Sequence, residues 1–401
     1  MQRVDVLILG GGLVGLTTAL ALNAHGLTSV VVDPADPAKT LATGFDGRAS
    51  AIASASWRML EAIGVASRLE GQGCAIRRIE VRDGLTKKPL DFTPTDGEAL
   101  GTMVENRLVR RALYDAALAS EHITLKTPAN AISVDRGMGG VTATLDDGSI
   151  VAADLLIAAE GRNSPTRVAA GIRAAAWKYD HVAIISAFEH SIPHENVAHE
   201  IFYPAGPFAL LPMLPGNRSA LVWSVSAKDA PAMLALSDHA FAVEAQKRTG
   251  GLVGELSALA PRSSYPLSFH HAAAITGERL VLVGDAAHGI HPIAGQGLNL
   301  GFRDVAALVE VLVDGSRLGL DLGDPQLLGR YQSWRSFDTL MVATATDTLT
   351  RLFGITGRPA RAVRRFGLGA VQHIAPLKSM FMAEARGETG ALPKLLQGLT
   401  V

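Results

Sequence analysis

Three glycines, Gly10, Gly12 and Gly15, follow directly on the apolar run Val4–Leu9, which only Asp5 interrupts. A run of that length and continuity reads as a strand buried on both faces. Leu13–Ala24 is rich in Leu and Ala and reads as a helix stopped near Gly26. Thr28–Val32 is a second buried strand and ends in Asp33. The whole is a βαβ unit, and each glycine has a task in it. Gly10 permits the tight turn, Gly12 lets the backbone approach a pyrophosphate, and Gly15 lets helix pack closely on strand. Unpaired N–H groups in the first helical turn, at Leu13 and Val14, favour an anion there. The Asp33 carboxylate can accept from the ribose hydroxyls of an adenosine half. This unit points to nucleotide binding and does not by itself separate FAD from NAD.

At 401 residues the chain exceeds the size at which a single core stops growing, so two lobes are expected. The first part alternates strand and helix. Residues 48–63 read as a helix stopped by Gly64, Leu108–Ala119 as another, and Ala153–Ala159 as a buried strand. From about 171 to 269 strand-like runs dominate: Val182–Phe188, Glu200–Tyr203, Phe208–Met213 and Ser219–Val225, with one helix near 237–249. The buried-strand pattern returns at Arg279–Val283, followed by helices near 298–313 and 329–352. The expected class is α/β (α+β). A Rossmann-type domain of residues 1–75, 97–170 and 270–353 carries an inserted, mostly antiparallel β-sheet substrate lobe of 76–96 and 171–269. Residues 354–401 form a C-terminal helical segment.

A net charge of −1 argues against wrapping around nucleic acid. The single cysteine, Cys74, rules out an internal disulfide and reads as a small buried hydrophobe. No secretory leader and no apolar run long enough to span a bilayer is expected, which fits a cytoplasmic protein. His288 and His291 flank a glycine turn with no third ligand in view, so no metal site is expected.

The second motif lies at Gly284-Asp285, at the end of the strand Arg279–Val283, and continues through Pro292, Gly295, Gln296, Gly297, Leu298 and Asn299 to Gly301. Asp285 is placed to accept from polyol hydroxyls. The N–H groups at Gly297 and Leu298 open a helix and can face an anionic ring edge. A flavin ribityl chain and the N1–C2 carbonyl edge of a reduced flavin require those two features.

With the glycine loop, the segment Asp154–Arg167 and the Gly284–Gly301 stretch, the chain resembles the class A aromatic-ring hydroxylases, the p-hydroxybenzoate hydroxylase-like flavoproteins. Within them it is similar to the ubiquinone-biosynthesis hydroxylases that act on polyprenylated phenols. Asp46-Gly47-Arg48, Glu105-Asn106-Arg107 and Gly206–Pro212 agree with the match, which extends to about residue 353. The resemblance implies non-covalent FAD, NAD(P)H as transient co-substrate, and oxygen delivered to the phenol ring from a flavin C4a-hydroperoxide. It also implies that Arg48, Asn106, Arg107, Glu160, Gly161 and Asp285 lie along FAD and that Gly295–Leu298 lines its ring. Tyr203, Phe208 and Pro212 lie where the family's substrate faces the flavin, and either line that pocket or pack in the core of the lobe. The family's middle motif has Asp-Gly where this chain has Glu160-Gly161.

Two rivals share this scaffold: an isoprenoid reductase or epoxidase, and a non-catalytic flavin-binding subunit of a quinone-biosynthesis complex. Arg358, Arg361, Arg364 and Arg365 near Phe366, Leu368 and Phe381 read either as a basic amphipathic element at the inner membrane face or a partner, or as a solvated helix packed on the body.

Overall fold

A computed structural model describes residues 1–41, 44–86, 88–289, 296–336 and 374–401. Five parallel strands form its nucleotide-binding sheet, in the order Leu280–Leu282, Ile150–Ala158, Gln2–Leu9, Ser29–Val32 and Ile123–Lys126. Strands Gly140–Leu145 and Ala131–Gly137 add an antiparallel hairpin to Ile150–Ala158. Val6, Leu7, Ile8, Leu155, Leu156 and Ile157 are fully buried, as strands covered on both faces require. Asp5 sits in this apolar strand because its carboxylate accepts from the backbone and hydroxyl of Thr28, each at 2.7 Å.

Helices Leu13–Asn23 and Asn106–Leu118 cover the sheet, and the long helix Gln296–Arg317 packs against the first of them. That packing is close. A Cβ at Gly301 would fall 2.8 Å from Val14 and 3.4 Å from the Gly284 Cα. The helix expected over 48–63 is instead the strand Ala49–Ala53 followed by the helix Ser54–Ala62. The strand pairs with Gly101–Glu105, from Ala49↔Glu105 at one end to Ala53↔Gly101 at the other, and local periodicity carries no sign of so distant a partner. Residues 325–336 are helical; the remainder of the helix expected to 352 lies outside the described residues.

The second sheet is nine-stranded. Its main path runs His288–Gly289, Ser263–Ala272, Ala174–His190, Arg218–Ser226, Gly206–Met213, Val197–Tyr203, Arg78–Asp83, Leu90–Phe92. All these neighbours are antiparallel except Val197–Tyr203 with Arg78–Asp83. The four strand runs read from residues 182–225 lie in this sheet, and the helix read near 237–249 is Asp238–Thr249. That helix closes one face: Phe241, Ala242 and Ala245 pack with Ile184, Phe188, Ile201, Phe208 and Trp223. The opposite face turns toward the glycine loops. Cys74 is buried in a smaller cluster, where burial pushes its thiol up to about 11.

Candidate functional site

A cavity of about 790 Å³ separates the two sheets. The nucleotide-binding side contributes Gly12, Leu13, Val14, Gly161, Arg162, Asp285, Gly297 and Leu298 to its lining. Arg48, Ser50 and Asn106 border it from one flank. Ile185, Glu200, Pro207, Ala209, Leu211 and Val222 line it from the second sheet. Most of one wall is therefore backbone, glycine and charge, and most of the other is aliphatic.

The first glycine loop is shaped by contact. Gly10 has φ +107°, and a Cβ there would press on the Ala159 carbonyl. A Cβ at Gly15 would overlap the Gly10 carbonyl oxygen. Gly12 has nothing within 4 Å of its Cβ position, so this glycine opens onto free space at the start of Leu13–Asn23. Asp33 anchors the loop: its Oδ2 accepts from the Gly11 N–H at 2.5 Å and its Oδ1 from the Ala35 N–H at 2.7 Å. Each oxygen keeps acceptor capacity for a further donor.

Asp285 stands in the 3₁₀ turn Gly284–Ala286, just past the parallel strand Leu280–Leu282. Gly284 has φ +57°. Three buried residues, Asp304, His288 and Arg335, hold this turn from behind. Asp304 accepts from the Gly284 N–H at 2.9 Å, meets His288 Nε2 at 2.5 Å, and accepts from Arg335 Nε at 2.8 Å. Burial pushes the Asp304 carboxyl up, but His288 and Arg335 outweigh it and hold it below the usual range. His288 is thus committed to a carboxylate, and His291 lies outside the described residues. The Asp285 side chain is half exposed toward the cavity, and desolvation by the cavity walls raises it against the opposing charge of Arg162, whose Nη2 lies 3.9 Å away. Arg162 also donates to the carbonyl and hydroxyl oxygens of Ser268, which bridges the two sheets at the cavity wall.

Arg48 does not begin a helix. It precedes the strand Ala49–Ala53 and pairs with Asp46 at 2.6 Å. Asn106 is the first residue of its helix. Its Oδ1 accepts from Ser50 Oγ at 2.7 Å at the cavity edge, while Glu105 occupies the cap position without a side-chain capping bond. Arg107 turns to Glu105 at 2.5 Å and is absent from the lining. Asn299 is buried and bridges the Ala53 N–H and the Ala51 carbonyl, so it ties the long helix to a strand. Glu160 Oε2 accepts from Ser164 Oγ at 2.5 Å and from the Thr166 N–H at 3.2 Å, at the start of helix Pro165–Ala169. Pro292 and Gly295, like the side chain of Gln296, lie outside the described residues.

The three residues expected to face substrate lie on the other face of the sheet. Tyr203 donates to the Arg248 carbonyl at 2.6 Å and carries the Arg248 guanidinium over its ring. Phe208 is fully buried edge-on to Trp223, and Pro212 shares its parity on the strand. Their neighbours Pro207, Ala209 and Leu211 line the cavity instead. Side chains alternate along a strand, so one step in parity exchanges the two sets. Sequence reading also passed over Glu200, Arg162 and Ser268. The signal available for Glu200 was a carboxylate beside His199 in a strand whose other residues are apolar or aromatic.

A family model described as an FAD binding domain matches residues 3–338. The chain belongs to this FAD-binding family. The ubiquinone hydroxylase UbiL of Rhodospirillum rubrum is 45% identical over 399 residues, covering 98% of this chain and 93% of that protein. The 3-demethoxyubiquinol 3-hydroxylase of Escherichia coli is 33% identical, covering 96% of this chain and 99% of its own length. Among solved structures, the p-nitrophenol 4-monooxygenase PnpA of Pseudomonas putida superposes with a TM-score of 0.79 at 16% identity, covering 97% of this chain and all of that one. The FAD-binding fold read from the glycine motifs is thus the fold of this family.

Proposed function

We propose that this protein is an FAD-dependent monooxygenase that uses NAD(P)H and oxygen to hydroxylate the aromatic ring of a polyprenylated phenol in ubiquinone biosynthesis. The observation that carries this reading is the cavity. It joins a nucleotide-binding glycine loop and a helix N-terminus to an aliphatic sheet face, in a chain that matches ubiquinone hydroxylases over nearly its full length.

The residues present fit FAD. The space beside Gly12 at the start of its helix takes the pyrophosphate, and Asp33 accepts from the adenosine ribose. Asp285 accepts from the ribityl hydroxyls, and Arg48 and Asn106 border the same path. Gly297 and Leu298, in the first turn of Gln296–Arg317, present N–H groups and a helix dipole to an anionic ring edge. Bound FAD supplies hydride acceptance from NAD(P)H and the activation of oxygen. The protein orients the phenol, excludes water with the aliphatic wall of Ile185, Ala209, Leu211 and Val222, and handles the phenol proton.

Among the described residues no helix is long and apolar enough to cross a membrane. A substrate with a polyprenyl tail partitions into lipid, and we propose that the protein meets it by peripheral contact, within an assembly of ubiquinone-biosynthesis enzymes. Flotation with anionic lipid vesicles tests the contact; protein remaining at the bottom of the gradient counts against it.

The test of function is a visible spectrum of the purified protein, then NAD(P)H oxidation with and without a short-chain prenylphenol. A flavin band with phenol-stimulated oxidation and a hydroxylated ring supports the reading. A reduced or epoxidised prenyl chain selects the isoprenoid rival. A flavin band with no stimulation selects the non-catalytic subunit.

A further inference from the structure

The second sheet sends two adjacent rows of side chains in opposite directions. Ile201, Phe208, Trp223 and Ile184 are register partners across four strands, and all are buried under the helix Asp238–Thr249. The next row is Glu200, Ala209, Val222 and Ile185, again register partners, and all four line the cavity. Glu200 is the one carboxylate that strands Val197–Tyr203, Gly206–Met213 and Arg218–Ser226 place in that lining. No described residue hydrogen-bonds to its carboxyl or pairs with it. A carboxyl held among aliphatic side chains without a partner is costly, and such groups occur where a ligand completes them.

We infer that Glu200 receives the phenol hydroxyl of the substrate and takes its proton as the ring is hydroxylated. The inference rests on the hydroxylase reading above and assigns it a base. The geometry separates the two ends of the reaction. Asp285, Arg162, Gly297 and Leu298 occupy the cofactor side, and Glu200 lies on the sheet facing them. A phenol ring between the two walls presents its hydroxyl to the one acceptor on the sheet row, leaving its tail among Ala209, Val222 and Ile185.

The step balances as follows. A C–O bond forms at the ring carbon as the O–O bond of the reduced oxygen breaks, and the phenol O–H bond breaks. Its proton passes to a Glu200 oxygen, and its electron pair closes a ring carbonyl. Loss of the displaced ring hydrogen as a proton, with return of the Glu200 proton to oxygen, restores the aromatic diol. The oxygen atom comes from O2, whose other atom leaves as water; NAD(P)H provides the two electrons.

Burial pushes the Glu200 carboxyl up to about 7, which suits a base working near neutrality. The charged and titratable groups around it are Arg48, Arg162, Tyr265 and Asp285 across the cavity, and Asp83 beyond Val81 on the neighbouring strand. Tyr265 is pushed by burial to about 12 and stays protonated in the working range. Glu200 and Asp285 are then the two cavity carboxyls raised by desolvation, and substitution tells them apart.

The experiment compares wild type with Glu200→Gln, both loaded with FAD and given a short-chain prenylphenol from pH 5 to 9. Flavin absorbance reports cofactor occupancy, and flavin spectral perturbation reports binding of the phenol and of its methyl ether. We expect equal occupancy, a fall in kcat/KM of about 100-fold at pH 8, and loss of the limb near pH 7. We also expect wild type to bind phenol about 10-fold tighter than ether, which lacks the O–H donor and carries a methyl in its place, and Glu200→Ala to lose most of that preference. A Glu200→Gln enzyme within twofold of wild type, with the limb intact, overturns this inference and leaves the hydroxylase standing. A wild type that no phenol stimulates overturns the hydroxylase reading, and the inference falls with it.

Discussion

The two walls of the cavity are made by different means. On the nucleotide side, main-chain geometry does the work: glycines at fixed spacing leave room, and a parallel strand ends where a helix begins. On the sheet side, function depends on which of two alternating side-chain sets turns inward. Backbone function tolerates almost no change at its glycines. Side-chain function can be moved by one position in sequence. The first wall should therefore fail abruptly when altered, and the second by degrees.

The sharpest break is Gly15→Ala. The added methyl overlaps the Gly10 carbonyl, so strand and helix must separate. Overpacking of this kind costs about 1–3 kcal/mol or more, and the expected result is little soluble protein and no flavin band. Gly12→Ala places its methyl in open space and should leave the melting temperature within a few degrees of wild type. It should nonetheless lower flavin occupancy, because that space is the one a pyrophosphate needs. Equal flavin binding by both variants would sink the assignment of this loop.

On the sheet, Phe208→Ala should destabilise the protein by about 3–5 kcal/mol, as removal of a fully buried aromatic does. Ala209→Leu, one residue on, should cost less stability and raise KM for the prenylphenol several-fold, since Ala209 lines the cavity. Chemical denaturation and steady-state kinetics on the same two variants test the parity. The reverse pattern would put Phe208 in the pocket.

That parity is also where the sequence ceased to be legible. The βαβ unit could be read because its glycines, apolar strands and terminal acid are all local, within residues 4–33. The strands of the second sheet could be read from their composition. The face each presents could not, because Phe208 and Ala209 are both apolar and the helix that selects Phe208 is some 30 residues further along. Arg48 and Asn106 were named as cofactor residues through resemblance alone. The setting of Arg48, beside a strand whose first residue Ala49 pairs with Glu105, was read as helix. Glu200 was passed over because a single acid in an apolar run looks like ordinary alternation.

Glu200 also supplies a pH test that needs no substrate. Its carboxyl is raised by burial to about 7 from an ordinary value of 4.5. A carboxyl raised on folding binds its proton more tightly in the native state. The stability that proton binding confers is fully present below pH 4.5 and lost as pH rises through 7. Glu200→Gln should therefore melt like wild type at pH 4.5 and be more stable above pH 7, by roughly 3 kcal/mol at most. A constant difference across this range would mean that Glu200 titrates as an exposed acid.

The smallest effect concerns the departure from the family's Asp-Gly. Glu160 belongs to the nucleotide wall by position, yet its side chain serves the backbone of the helix Pro165–Ala169 through Ser164 and Thr166. The extra methylene explains the reach: an aspartate at the same Cα stops about 1.5 Å short. Glu160→Asp should loosen that helix start and cost about 1 kcal/mol, the typical worth of a helix cap, with flavin occupancy unchanged. Thermal melting and flavin titration separate the two readouts. A variant that melts like wild type but binds flavin ten-fold more weakly would show that the acid faces the cofactor. The contrast between a wall made of backbone and a wall made of side chains would then have to be redrawn at this residue.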